Sequence, residues 1–132
     1  MGNAGEEFDG SMETKRILVV DDEGILRMLI MDTLEFEGYA VEEAEDGEEG
    51  FERIANEPYD LIILDYMMPH LTGMEVLEKI QPLQLEVPII MLTAKAQQQD
   101  RDMAHQFGAK YFMPKPFSPS ELVALVNEIL NG

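Results

Sequence analysis

Five short strand-like runs alternate along this sequence with segments whose apolar residues recur at helical spacing. The predicted strands cover residues 16–20, 39–44, 61–64, 87–92 and 110–113. The predicted helices that follow them cover residues 23–38, 46–58, 73–80, 97–108 and 118–132. Mostly continuous apolar strands joined by helices predict a parallel β-sheet that is covered on both faces.

The first and last helices carry the clearest helical signals. In the first helix, the apolar positions at helical spacing include Ile25, Leu29 and Leu34. At the start of the last helix, Ser118 is a natural N-cap, Pro119 takes the first helical position, and Glu121 stands three residues after the cap. This spacing predicts a capping box.

The chain of 132 residues has the size of one domain. We expect residues 1–11, which are Gly-rich, acidic and aperiodic, to be a disordered leader or a remnant of cloning, and residues 12–132 to form the domain. There is no cysteine, which excludes disulfides and thiolate metal sites. The sequence contains no apolar run of about 18 residues and no signal peptide, so we expect a cytoplasmic protein.

The charge balance limits the partners of this domain. The sequence has 27 acidic and 9 basic residues, for a net charge of −18. Direct binding to nucleic acid needs a basic surface, and attraction to anionic lipid needs one too. We therefore expect neither nucleic acid nor membrane as a direct partner.

Chemically active side chains follow the predicted strands at their carboxyl ends. In a flavodoxin-like (βα)5 doubly wound parallel sheet with strand order 2-1-3-4-5, ligands bind at the carboxyl edge, in the crevice between strands 1 and 3. The residues that end or follow strands 1, 3, 4 and 5 are Asp21, Asp22, Glu23, Asp65, Thr93 and Lys115. We expect them to meet at one edge of the sheet.

Clustered carboxylates repel one another unless a cation neutralises them. All-oxygen ligands without histidine or cysteine favour Mg²⁺ over softer metals. A carboxylate beside Mg²⁺ can be the nucleophile in phosphoryl transfer, while a lysine and a hydroxyl group stabilise the transferred oxygens. The pattern therefore indicates that Asp65 is a phosphoryl acceptor, with Lys115 and Thr93 as the groups around the phosphate. Asp21 or Asp22 could also cap the first helix.

Four segments, "ILVVDDE", "LIILDYMMP", "PIIMLTA" and "GAKYFMPKPF", resemble the receiver domain of bacterial response regulators. The resemblance implies a two-component phosphorelay in which Asp65 accepts a phosphoryl group from a histidine kinase or a phosphotransfer protein. Asp22 would bind Mg²⁺ directly, Asp21 would act mostly through water, and the Met67 carbonyl would complete the protein ligands. Such a domain catalyses only its own phosphorylation and dephosphorylation, so we do not classify it as an enzyme.

The resemblance also implies how the phosphoryl group is held. Thr93 and Lys115 would bind its oxygens, and the small Ala94 would leave room for it. Met67 and Lys95 would modulate how water reaches the acyl phosphate, although a plain solvated lysine is the alternative for Lys95.

A conformational switch would pair Thr93 with the aromatic Phe112, and the Lys115–Pro116 peptide would be cis. Phe112 lacks the hydroxyl that many relatives carry at this position, so a plain half-buried aromatic remains the alternative. Tyr111 should point to the opposite face of the sheet, and Pro114 removes one backbone donor.

Three other functions fit the sequence less well. A degenerate receiver that only binds partners should lack an acidic residue or the lysine, and this sequence lacks neither. A carboxylate phosphatase needs an aspartate two residues after Asp65, where Met67 stands. A flavodoxin-type carrier needs a phosphate loop where "DDEGI" stands. Whether the domain stands alone or precedes an output domain stays open, as does a phosphorylation-dependent dimer.

Overall fold

Five parallel strands form the centre of the molecule in the computed structural model, which describes residues 14–94 and 98–132. The strands are β1 Arg16–Val20, β2 Ala40–Ala44, β3 Leu61–Asp65, β4 Ile89–Thr93 and β5 Tyr111–Pro114. Their order in the sheet is β2-β1-β3-β4-β5, and every neighbouring pair is parallel. The predicted flavodoxin-like order is confirmed. The predictions for residues 1–11 and for Lys95 lie outside the described residues.

Five α-helices cover the two faces of this sheet. They are α1 Gly24–Phe36, α2 Gly47–Asn56, α3 Gly73–Ile80, α4 Gln98–Gln106 and α5 Pro119–Asn131, and a short 3-10 helix, Gln81–Leu83, follows α3. Alternate residues of β1 show the two-sided core, since Ile17 and Val19 pack with α1 and α5 while Leu18 and Val20 pack with α2, α3 and α4. Within the described ranges, no helix is both long and apolar enough to cross a membrane.

Among the described residues, three helices begin at capping side chains. Ser118 forms the predicted capping box with Glu121, and Pro119 is the first helical residue. A second capping box joins Thr72 and Glu75 at the start of α3, and Asp46 accepts a hydrogen bond from the Glu49 N–H at 2.8 Å. These caps place the helix starts at the carboxyl edge of the sheet, where the helices follow their strands.

The inward face of α1 differs from the one suggested by helical spacing. Ile25 is 88 % exposed and Leu29 is 46 % exposed, whereas Ile30 and Leu34 are fully buried. Of the three apolar positions at helical spacing, only Leu34 therefore belongs to the core. Helix α1 is apolar on most of its surface, so its sequence alone leaves the rotation of the helix undetermined.

Strand boundaries shift by one or two residues from the predicted ones. Strand β4 begins at Ile89 instead of residue 87, because Pro88 precedes it and lacks the N–H group that a ladder needs. Strands β2 and β5 each begin one residue later than predicted. Among the described residues, the candidate site residues that end or follow the strands still lie at the carboxyl edge of the sheet.

Candidate functional site

Three carboxylates meet at the carboxyl edge of the sheet. Asp21 and Asp22 follow β1, and Asp65 is the last residue of the neighbouring strand β3. One carboxylate oxygen from each lies within 4.8 Å of the other two. Asp21 and Asp65 are buried, whereas Asp22 is exposed. The predicted acidic pocket is therefore assembled by two adjacent parallel strands.

Local hydrogen bonds orient the two buried carboxylates. Asp21 Oδ1 accepts a hydrogen bond from the Glu23 N–H at 2.8 Å, and Asp65 Oδ1 accepts a longer one from the Met67 N–H at 3.4 Å. Asp21 Oδ2 is buried and has no hydrogen-bond partner within residues 14–94 and 98–132. A buried carboxylate oxygen without a hydrogen bond is unfavourable unless a cation lies close to it, and here Lys115 Nζ lies 3.9 Å away.

Lys115 brings its positive charge into this pocket. Its Nζ lies 3.1 Å from Asp65 Oδ1, 3.2 Å from Glu23 Oε1 and 3.9 Å from Asp21 Oδ2. The backbone N–H of Lys115 donates to the Thr93 carbonyl at 2.9 Å, which ties the start of the β5–α5 connection to the end of β4. The Lys115–Pro116 peptide is cis, as the resemblance implies.

The pKa values reflect burial first and charge second. Burial raises the pKa of Asp21 to about 6, and the negative charge of Asp65 adds to the rise, against the lowering effect of the Glu23 N–H. Burial also raises the pKa of Asp65, although the charge of Lys115 opposes it. Burial lowers the pKa of Lys115, but Asp65, Asp21 and Glu23 outweigh that effect and raise it overall. One lysine is thus shared by several acids.

The donor set of the pocket suits a hard divalent cation. Its side-chain ligands are carboxylate oxygens only, with no nitrogen or sulfur donor in the cluster. Asp21 Oδ2 accepts no hydrogen bond within the described part of the chain and so provides a ligand position, and a bound cation would reduce the penalty that burial imposes on that charge. The residues present therefore fit a metal ion of the type predicted from the sequence.

The other predicted site residues surround this pocket. Thr93 ends β4 and is buried, Ala94 follows it and is exposed, and Met67 is 65 % exposed beside Asp65. Phe112 is half-buried against the core on the α4 side of the sheet, with the Arg101 guanidinium 5.5 Å from its ring centre. Tyr111 packs on the opposite face, as predicted.

Two residues that shape the site carried no signal in the sequence analysis. Arg27 on α1 donates from Nη1 to the Asp21 carbonyl at 2.6 Å. Gly73 begins α3 so close to β3 that a Cβ atom there would lie 2.4 Å from the Asp65 carbonyl oxygen. A lone arginine on a helix and a glycine near a helix start are common features, and only the folded chain shows what they contact.

Comparisons with known proteins agree with this geometry. The family model "Response regulator receiver domain" matches residues 17–127. The alkaline phosphatase synthesis transcriptional regulatory protein PhoP of Bacillus subtilis is 46 % identical over 116 residues, which are 88 % of this chain and 48 % of PhoP. The transcriptional regulatory protein ResD of the same species is 45 % identical over 93 % of this chain and 50 % of ResD. The chain thus spans about half the length of these two relatives.

Solved structures show the same architecture. A CheY-like response regulator receiver domain protein from Methanospirillum hungatei superposes with a TM-score of 0.84 at 36 % identity, covering 89 % of this chain and 94 % of that one. The TrrA response regulator of Thermotoga maritima, solved in complex with Mg²⁺-BeF, gives 0.78 at 38 % identity, covering 88 % and 99 %. With the family model and these relatives in agreement, the chain belongs to the response regulator receiver domain family of two-component signal transduction.

Proposed function

We propose that this receiver accepts a phosphoryl group on Asp65 from the phosphohistidine of a histidine kinase or a phosphotransfer protein. The observation that carries the proposal is the position of Asp65, a buried carboxylate at a strand end, 3.1 Å from Lys115 Nζ and within 4.8 Å of the Asp21 and Asp22 carboxylates. A buried nucleophile with a cation on one side and an acidic pocket on the other suits phosphoryl transfer.

An Asp65 oxygen would attack phosphorus while the P–N bond breaks, and the leaving imidazole would keep the electron pair and take up a proton. Lys115, already paired with Asp65, favours the ionised nucleophile and would contact the phosphoryl oxygens as they arrive. Thr93 would donate its hydroxyl to another of these oxygens, and exposed Ala94 leaves space beside it.

The acidic pocket would hold Mg²⁺ through Asp22 directly, Asp21 mostly through water, Asp65, and the backbone carbonyl of Met67. The bound ion would neutralise the carboxylates and the phosphoryl oxygens, so that two negatively charged groups can approach one another. The all-oxygen donor set and the buried Asp21 Oδ2, which accepts no hydrogen bond within residues 14–94 and 98–132, support this assignment.

The phosphorylated state would be read through Thr93 and Phe112, whose shift would change the surface formed by α4, β5 and α5. An output domain or a separate protein would bind that surface, and a phosphorylation-dependent dimer would use a related one. Self-catalysed hydrolysis, modulated by Met67 and Lys95, would reset the domain. The net charge of −18 supports partners other than nucleic acid or membrane, and the cysteine-free sequence accords with a cytoplasmic location.

Intact-mass measurement after incubation with acetyl phosphate tests the proposal. We expect the wild-type protein to gain the mass of one phosphoryl group with Mg²⁺ and no gain with EDTA. Asp65→Asn should show no gain in either condition, while Asp32→Asn, which changes an exposed aspartate on α1, should behave like the wild type. A folded protein that never gains mass would indicate a degenerate receiver, and a gain that persists in Asp65→Asn would mean that another residue is the acceptor.

A further inference from the structure

Arg27 links three elements behind the acidic pocket. From α1, its Nη1 donates to the backbone carbonyl of Asp21 at 2.6 Å, at the end of β1. Its Nε donates to Glu43 Oε1 on β2, also at 2.6 Å. The Arg27 side chain is 16 % exposed, so its bond to the Asp21 carbonyl is partly shielded from water, whereas Glu43 is 52 % exposed. The guanidinium therefore holds the Asp21–Asp22 peptide at the edge of the sheet, next to β2.

The Asp21 residue is held from both sides as a result. Its carboxylate accepts from the Glu23 N–H on the pocket side, and its carbonyl accepts from Arg27 on the other. The remaining carboxylate oxygen, Oδ2, accepts no hydrogen bond within the described residues and lies 3.9 Å from Lys115 Nζ. Together with the Asp21 N–H, which donates to the Ala44 carbonyl at 3.2 Å, these bonds hold the backbone from which this oxygen projects.

The helix dipole and the neighbouring metal pocket both disfavour an arginine at this position, whereas its ion pair with Glu43 favours one. Arg27 lies in the first turns of α1, where the helix dipole is positive and disfavours a cation. A positive charge bonded to the backbone of Asp21 would also oppose the binding of a second cation at the carboxylate of that residue. The planar guanidinium of Arg27 donates hydrogen bonds in two directions at once, to Asp21 and to Glu43, and a lysine cannot reproduce this geometry.

We propose that Arg27 is a positioning residue for the metal pocket. It holds the Asp21–Asp22 peptide in the orientation that directs the two carboxylates at the ion. The inference rests on the proposed function, because it assumes that the pocket binds Mg²⁺. Groups that orient metal ligands typically change metal affinity by about 10- to 100-fold when they are removed.

Calorimetric titration of Mg²⁺ into the unphosphorylated protein tests this role without any phosphoryl transfer. We expect Arg27→Met to raise the Mg²⁺ Kd by about 10-fold or more and Arg27→Lys by about 3- to 10-fold. Glu43→Gln, which leaves the Asp21 bond intact, should have a smaller effect in the same direction. Arg53→Lys is the matched control, because Arg53 makes ion pairs with Glu42 and Glu49 away from the pocket, and its Kd should match that of the wild type.

The sign of the change separates positioning from simple charge. If Arg27 acted only as a nearby positive charge, Arg27→Met would bind Mg²⁺ more tightly than the wild type, and this result would overturn the proposal. An unchanged Kd in a folded Arg27→Lys protein would overturn it as well, and the lysine variant carries the test if the methionine variant fails to fold. If the wild type is phosphorylated and binds Mg²⁺, and the Arg27 variants bind Mg²⁺ with the same Kd, the role of Arg27 is overturned while the proposed function stands. A wild-type protein that does not bind Mg²⁺ would overturn both.

Discussion

At the scale of single residues, Asp21 shows how the site is kept ready for a cation. The side chain is fully buried, and Lys115, at 3.9 Å from Oδ2, is shared with Asp65 and Glu23. Burial and the neighbouring Asp65 charge raise the pKa of Asp21 to about 6. The fold therefore holds an ionised Asp21 at a free-energy cost near neutral pH, and a bound metal ion would remove that cost.

This cost predicts how stability depends on pH. Because the pKa of Asp21 is higher in the folded protein (about 6) than its ordinary value of 3.8, the folded state binds the proton more tightly than the unfolded state. Stability from this group is present below pH 4 and is lost as the pH rises through 6. Without metal, Asp21→Asn should therefore be more stable than the wild type at pH 7.5, by about 1–3 kcal/mol, and equally stable near pH 4.

Urea unfolding of both proteins at the two pH values, in EDTA, measures this difference. Added Mg²⁺ should raise the stability of the wild type at pH 7.5 and should have less effect on Asp21→Asn. If the variant were less stable than the wild type at pH 7.5 without metal, Lys115 would compensate the Asp21 charge better than the geometry indicates.

At the scale of elements, the close approach of α3 to the end of β3 forms the floor of the site. Gly73, the first residue of α3, donates its N–H to the Tyr66 carbonyl at 2.9 Å. A Cβ at this position would lie 2.4 Å from the Asp65 carbonyl oxygen and 2.9 Å from Tyr66 Cα. Both neighbours are backbone atoms, so the strand end or the helix would have to move.

Gly73→Ala should therefore lower the free energy of unfolding by about 1–3 kcal/mol. The displacement should also slow phosphorylation by acetyl phosphate, because it moves Asp65. Gly24→Ala is a matched stability control, since Gly24 is the first residue of α1 and the nearest atom to its added Cβ would be 3.9 Å away. Urea unfolding of both variants checks the prediction, which equal stabilities would contradict.

The orientation of α1 gives a second test at this scale. Ile30 is fully buried, and its neighbour Leu29 is 46 % exposed. Ile30→Ala should cost about 2–4 kcal/mol through lost burial and a residual cavity. Leu29→Ala should change stability by less than about 0.5 kcal/mol, because the site is at the surface. If the chemical-denaturation midpoints ranked the two variants in the reverse order, the helix would have the rotation that the apolar spacing suggested.

At the scale of the whole molecule, the excess of acidic residues sets a balance between repulsion and local ion pairs. The net charge of −18 disfavours any compact state through self-repulsion. Against it stands a network at the amino edge of the sheet, in which Glu42 contacts Arg16 and Arg53, and Glu57 contacts Arg16 at 2.9 Å. Each of these side chains is about one-third exposed or more, so the pairs are individually weak.

Raising NaCl from about 20 mM to about 500 mM, with EDTA present, should therefore raise the Tm by about 3–8 °C, because screening reduces the long-range repulsion more than the short-range pairs. Differential scanning calorimetry at a fixed pH measures the shift. Double variants that neutralise two exposed acids away from the site, such as Glu35→Gln with Glu78→Gln, should show a smaller rise. A Tm that falls with salt would show that the ion-pair network dominates.

The sequence by itself determined the succession of strands and helices and the acidic residues that stand at the strand ends. Each of these follows from local signals, such as the apolar runs of β3 and β4 or the capping box from Ser118 to Glu121. The carboxylates of Asp21 and Asp65 come together because strands β1 and β3 are neighbours in a parallel sheet. Periodicity and helix capping act over a few residues or a whole element, so a sequence can reveal them, whereas the strand order is set by contacts across the sheet.

Only the tertiary structure decided which contacts these residues make. Helix α1 is apolar on most sides, and packing against α5 and the sheet chose Ile30 over Leu29 for the core. The sharing of Lys115 between Asp65 and Glu23 and the bond from Arg27 to Asp21 depend on long, flexible side chains that meet across elements. Distances of this kind are set by how the helices settle on the sheet, and no spacing along the chain encodes them.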